Sequence, residues 1–177
     1  SMSVKDLSHF VNETCETFET NAVIQIPDPS NEPVVGVLDT LFDKNVYFHK
    51  WVEYEEQVTA DLFNAEDVTN NTEHGTCIAS IIVDGPTLNP NLDDKCGHFR
   101  VKHFGIALGS EFSSFDVIRK IEQIIISNRE IKVWNFSLGS EPECLLDSIS
   151  PEAALLDKLQ SDYDVIFVIS GTNRSPH

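Results

Sequence analysis

Positive charge is scarce in this chain: 12 Lys and Arg stand against 29 Asp and Glu, a formal net charge of −17 over 177 residues. That balance repels the phosphates of DNA, RNA and anionic membrane surfaces, so neither nucleic acid nor a membrane is expected as a partner. Long hydrophobic runs are also missing, and none approaches the roughly 20 residues a helix needs to cross a bilayer. Glycine and proline number eight each, too few for collagen-like or low-complexity sequence. The four cysteines, at positions 15, 77, 96 and 144, form no CxxC pair. This argues against a zinc ribbon or a dense disulfide framework and fits reduced thiols in a cytoplasmic protein. No basic region followed by an apolar stretch opens the chain, and Ser1-Met2 reads as the remnant of a cleaved tag.

What is present is an ordinary globular composition, 41% hydrophobic and 23% charged, at a length suited to one domain with a real core. Residues 1–33 read as a lead-in with a short helix over 3–26, closed by the three prolines of IPDPSNEP. VVGVL at 34–38 has the continuous apolar character of a strand buried on both faces. Between Asp43 and Glu73, scattered aromatics among charges predict irregular surface structure with one short helix. HGTCIASIIVDG then repeats Cys77, Ile78, Ile81 and Ile82 at helical spacing, predicting a buried helix that stops at Gly85-Pro86.

Further on, 99–108 reads as a strand or strand pair. Ser113 to Asp116 opens a helix with Val117, Ile118, Ile121, Ile124 and Ile125 on one stripe. Lys132–Leu138 is a strand, Ser150-Pro151-Glu152 caps the next helix, and 165–170 is a fully apolar strand. Strands alternating with helices predict an α/β three-layer sandwich with a mostly parallel sheet.

In such a sheet, functional groups gather beyond the carboxyl ends of the strands. Asp39 follows the first strand, His74 opens a helix, and Asn173 follows the last strand. Each has an unremarkable reading alone, as a turn cap, a first-turn residue and a loop amide. Together they place an Asp, a His and an Asn, in that order, on separate connections of one domain, and Asp before His is an order found in serine-protease triads.

The segments VVGVLDT around Asp39, HGTCIAS around His74, VWNFSLGS at 133–140 and VIFVISGTN at 165–173 resemble four successive signatures of the subtilisin-like serine proteases, the subtilases or peptidase S8 family. The resemblance spans residues 34–173 and implies a subtilisin-like fold. It implies Asp39 as the triad aspartate, His74 as the general base and Asn173 as an oxyanion donor. Ser137, Leu138 and Gly139 match the stretch that pairs with an extended peptide substrate. No cofactor is implied. Subtilases often carry structural calcium, but no acidic cluster here has a spacing that assigns a metal site.

One segment of the family is missing. Subtilases carry their serine in a Gly-Thr-Ser sequence after the oxyanion asparagine, whereas this chain has only Gly75-Thr76-Cys77 and Gly171-Thr172-Asn173. The expectation is therefore the N-terminal, truncated portion of a subtilase catalytic domain over 34–177, inactive alone. Its partners would be a peptide or protein substrate and the missing C-terminal part of its own domain. Exposed apolar surface and an open sheet edge would favour self-association.

Other readings compete. A peptide-binding pseudoprotease or regulatory module would use the Ser137–Gly139 edge without a serine. VVGVLDTLFD also resembles the first motif of haloacid-dehalogenase phosphatases, but the second acid that chemistry needs two residues after Asp39 is Leu41. Cys77, one turn from His74, suggests a Cys-His hydrolase, although its apolar neighbours favour a core thiol. Cys96, His98 and His103 include zinc-ligand types, yet no fourth ligand accompanies them.

Overall fold

The computed structural model describes residues 26–58, 72–93, 95–107, 114–138 and 149–170. The lead-in over 3–25, the capping residue Ser113, Gly139 and Asn173 lie outside the described residues.

Among the described residues, five strands form one sheet: β1 (Val34–Asp39), β2 (Val52–Glu56), β3 (Arg100–Gly105), β4 (Val133–Phe136) and β5 (Ile166–Ile169). Their spatial order is β2-β3-β1-β4-β5, and every pairing is parallel. Helices α1 (Glu73–Leu88), α2 (Ser114–Ser127) and α3 (Pro151–Tyr163) supply crossovers between strands. β1 lies at the centre because it is apolar on both sides, and its last four residues are all buried.

Alternation along the strands divides the core into two. Leu38, Phe104, Trp134 and Phe167 pack on one face beneath Val117, Ile121, Ile124 and Ile125 of α2 and Leu156 and Leu159 of α3. Gly36 lies on this face because Trp134 lies across it: a Cβ there would stand 2.2 Å from the indole. On the other face, Val37 and Val101 pack with Ala79 and Val83 of α1 and with Phe42, Phe48 and Trp51. The result is the three-layer α/β sandwich expected from the sequence. The stripe on α2 and the Ser150 cap of α3 are as expected, with the Ser150 hydroxyl accepting from the Ala153 amide at 3.2 Å.

Three local expectations are corrected. The stretch 43–73 contains β2, whose sequence VEYEE conceals it. Val52 and Tyr54 face the core while Glu53 and Glu55 point the other way to the Lys102 ammonium, at 3.1 and 3.3 Å. The buried stripe of α1 is Gly75, Ala79 and Val83, so Cys77 is exposed instead of being a core thiol, and Ile81 faces outward. α1 also does not stop at Gly85-Pro86: a non-helical Asp84 kinks it and the helix resumes to Leu88. β5 is the apolar strand expected, with Phe167 covered and Ile166, Val168 and Ile169 exposed.

Candidate active site

β1 runs apolar up to Asp39, which ends it as a fully buried carboxylate. A carboxylate in such a position requires donors. Its Oδ1 accepts from the Thr40 amide at 2.6 Å and from Nδ1 of His74 at 2.7 Å. Its Oδ2 is buried without a hydrogen-bond partner among the described residues. Because a carboxylate accepts, the proton of a neutral His74 resides on Nδ1, which leaves Nε2 with a lone pair. The His74 side chain is 54% exposed, so the pair joins a buried anion to an imidazole open to solvent.

The start of α1 is stitched to the loop after β1. The Gly75 amide donates to Thr40 Oγ1 at 3.0 Å, satisfying a first-turn amide that no side chain of the helix's own N-cap satisfies. The Thr76 hydroxyl donates to the Thr72 carbonyl at 2.6 Å and accepts from the Asp43 amide at 2.9 Å. Gly75 permits this approach: a Cβ would lie 2.6 Å from the Leu41 carbonyl oxygen and 2.8 Å from that of Thr40. His-Gly-Thr therefore combines an imidazole, a close backbone approach and a hydroxyl clamp.

Behind the pair lies His103, fully buried on the sheet face that carries Asp39. Its Nε2 is 2.8 Å from the Thr40 carbonyl oxygen, so that nitrogen carries the proton and donates. Burial holds the imidazole below the ordinary histidine range, against the opposing effects of the Thr40 bond and the Asp39 charge. The rings of Phe42 and Tyr54 pack on it, each with its centroid 5.6 Å away. Burial, with the Glu56 charge adding, pushes the Tyr54 phenol up to about 12.

β4 runs beside β1 in the same direction, so Ser137 and Leu138 emerge at the same end of the sheet as Asp39. The Ser137 hydroxyl donates to Asn135 Oδ1 at 2.8 Å, and Leu138 packs against the core. The structure thus brings together Asp39 and His74 directly and places Ser137 and Leu138 on the same rim.

Sequence reasoning assigned no part to Thr40 and read His103 only as one of three zinc-ligand types. In the structure, His103 is turned to Thr40, while Nδ1 of His98 lies 2.8 Å from the Val83 carbonyl oxygen. The available signal was a lone histidine at a core position of the strand. Among the described residues, no helix is long and apolar enough to cross a membrane.

Comparison with known proteins adds one match: the family model of the subtilases, peptidase S8, fits residues 30–177. No curated protein and no solved structure matches the chain significantly. The matched stretch covers most of the 177 residues and includes both partners of the Asp39–His74 pair, and on that basis the chain belongs to the subtilase family.

Proposed function

We propose that these residues supply the acid–base half of a serine endopeptidase site, with the nucleophile carried on a segment outside them. The observation that carries this reading is the 2.7 Å contact of His74 Nδ1 with a fully buried Asp39 at the end of the central strand. In the proposed reaction, Nε2 of His74 removes the proton of a serine hydroxyl as its oxygen attacks the peptide carbonyl. Asp39 fixes the tautomer and stabilises the imidazolium. The proton then passes to the departing amine as the carbon–nitrogen bond breaks, and a water activated by the same nitrogen releases the acyl group.

Asn173 is proposed as the side-chain donor to the developing oxyanion, where loss of one donor typically costs about 100- to 1000-fold in rate. Ser137, Leu138 and Gly139 are proposed to pair with an extended peptide; parallel β4 ending on the catalytic rim supports this. Without a Gly-Thr-Ser serine, the 177 residues alone are inactive on this reading. The exposed thiol of Cys77 supports a reducing, cytoplasmic setting.

The test is fluorophosphonate labelling of the protein encoded by the complete reading frame containing these residues, with the modified peptide mapped by mass spectrometry. The expected result is a labelled Gly-Thr-Ser serine that His74→Ala leaves unlabelled. Absence of labelling would favour the second reading, a peptide-binding pseudoprotease, for which the missing serine motif within this sequence is the supporting observation.

A further inference from the structure

His74 and Asp39 sit on separate elements, a helix start and a strand end, and their contact is only as well defined as the junction between the two. One buried side chain touches both sides of that junction. Nε2 of His103 donates to the Thr40 carbonyl at 2.8 Å, on the residue that follows Asp39. The amide of that same residue donates to Asp39 Oδ1, and its hydroxyl accepts from Gly75, which follows His74. The ring edge also reaches the helix: a Cβ on Gly75 would be 2.9 Å from Cε1 of His103. Thr40 is therefore held at its amide, hydroxyl and carbonyl, and His103 supplies the carbonyl contact from the neighbouring strand.

An aliphatic residue would serve the apolar packing of this position as well as a histidine. His103 is fully buried, its Nδ1 has no hydrogen-bond partner among the described residues, and the rings of Phe42 and Tyr54 pack on it. Burying an imidazole with one nitrogen unsatisfied is unfavourable. What distinguishes it from an aliphatic residue is the N–H directed at Thr40. We propose that His103 is a positioning residue for the Asp39–His74 pair: it holds the Thr40 carbonyl and seats the glycine of the His74 helix, so one buried imidazole sets both elements against each other. It touches neither substrate nor the reacting atoms. Its functional meaning rests on reading Asp39 and His74 as the acid–base pair, whereas its geometric effect does not.

The test is imidazole 1H–15N spectroscopy of the full 177-residue chain with labelled histidine, which needs no turnover. In the unaltered chain, His103 should be the neutral Nε2–H tautomer with coupling across the bond to the Thr40 carbonyl, and His74 should show a protected Nδ1–H. In His103→Leu, exchange of the His74 Nδ1–H should quicken by about tenfold, because a buried carbonyl loses its donor. In His103→Gln, whose amide can donate to the same carbonyl, protection should return towards the original value. Near-UV circular dichroism establishes folding of each variant.

An unchanged His74 signal in folded His103→Leu, or no recovery in folded His103→Gln, overturns the proposal. If His103→Leu does not fold, the tautomer in the unaltered chain decides: Nδ1–H on His103 overturns it and Nε2–H coupled to Thr40 supports it. Failure of fluorophosphonate labelling would remove the peptidase reading and leave these signals as they are, so the two failures are distinguishable.

Discussion

The amide of Gly75 donates to the hydroxyl of Thr40 at 3.0 Å, and this bond ties the first turn of α1 to the end of β1. Both groups are buried, so losing the hydroxyl strands an amide. Thr40→Val keeps the shape and removes the acceptor. It should lower stability by about 1–3 kcal/mol, read as a shift in urea midpoint, while Thr40→Ser should retain most of it. Equal midpoints for Val and Thr would show that the bond contributes nothing.

Gly75→Ala tests the close approach at the same junction. The added methyl meets two backbone carbonyl oxygens, at 2.6 and 2.8 Å, and neither can rotate aside as a side chain would. Overpacking of this kind costs about 1–3 kcal/mol, and the helix start should move away from Asp39. Thermal melting gives the energy, and loss of the His74 Nδ1–H signal gives the displacement. A melting temperature matching that of the unaltered chain would refute the steric argument.

Acid should expose the cost of burying His103. Its folded pKa is lowered by burial, so the unfolded chain takes up a proton first, near the ordinary histidine value of about 6.5. The stability this group protects is complete above that value and is lost as pH falls through it towards the lower folded value. Urea midpoints measured between pH 8 and about 5 should therefore fall, and the fall should be shallower in His103→Gln. Parallel curves for the two proteins would place the effect on other groups.

At the other end of α1, Tyr47 donates its hydroxyl to Oδ2 of Asp84 at 2.7 Å. Asp84 is fully buried, and His98 Nδ1 lies 3.4 Å from its Oδ1. Burial, together with this bond, pushes the Tyr47 phenol far above the usual range. Tyr47→Phe should cost about 1–3 kcal/mol, and combining it with Asp84→Asn should give less than the sum of the single effects, since the two share one interaction. Additive effects would mean that the bond does not form in solution.

The exposed apolar face of β4 and β5 should make the isolated chain associate. Val133, Ile166 and Val168 share the α1-bearing face of the sheet and remain 39%, 61% and 52% exposed. Exposed apolar surface favours association, and a net charge of −17 opposes it, so association should strengthen with salt as the repulsion is screened. Ile166→Lys with Val168→Lys should abolish it. Light scattering that returns a single 19.8 kDa chain at every concentration and ionic strength would count against the expectation.

Much of this architecture is legible where apolar character and topology coincide. VVGVL reads as a central strand because both its faces are covered, and Asp39 stands out as the first charge after it. β2 is hidden because an edge strand that pairs Glu53 and Glu55 with one lysine has the composition of a surface loop. On α1, Cys77 and Ile81 suggest a buried stripe, but the face against the sheet uses Gly75 and Ala79, whose small size allows the approach and leaves little hydrophobic signal. Asp39 and His74 were legible from local sequence. The Thr40–His103 bond was not, because it joins residues 63 positions apart and depends on β3 pairing with β1.

The placement of Trp134 across Gly36 has an optical consequence. The chain has two tryptophans: Trp134 lies in the core under α2 and α3, and Trp51 lies in the core under α1. Each side of the sheet therefore carries its own intrinsic fluorophore. Trp51→Phe and Trp134→Phe would leave one emitter apiece, and coincident denaturation curves from the two would mean that both layers melt as one cooperative unit.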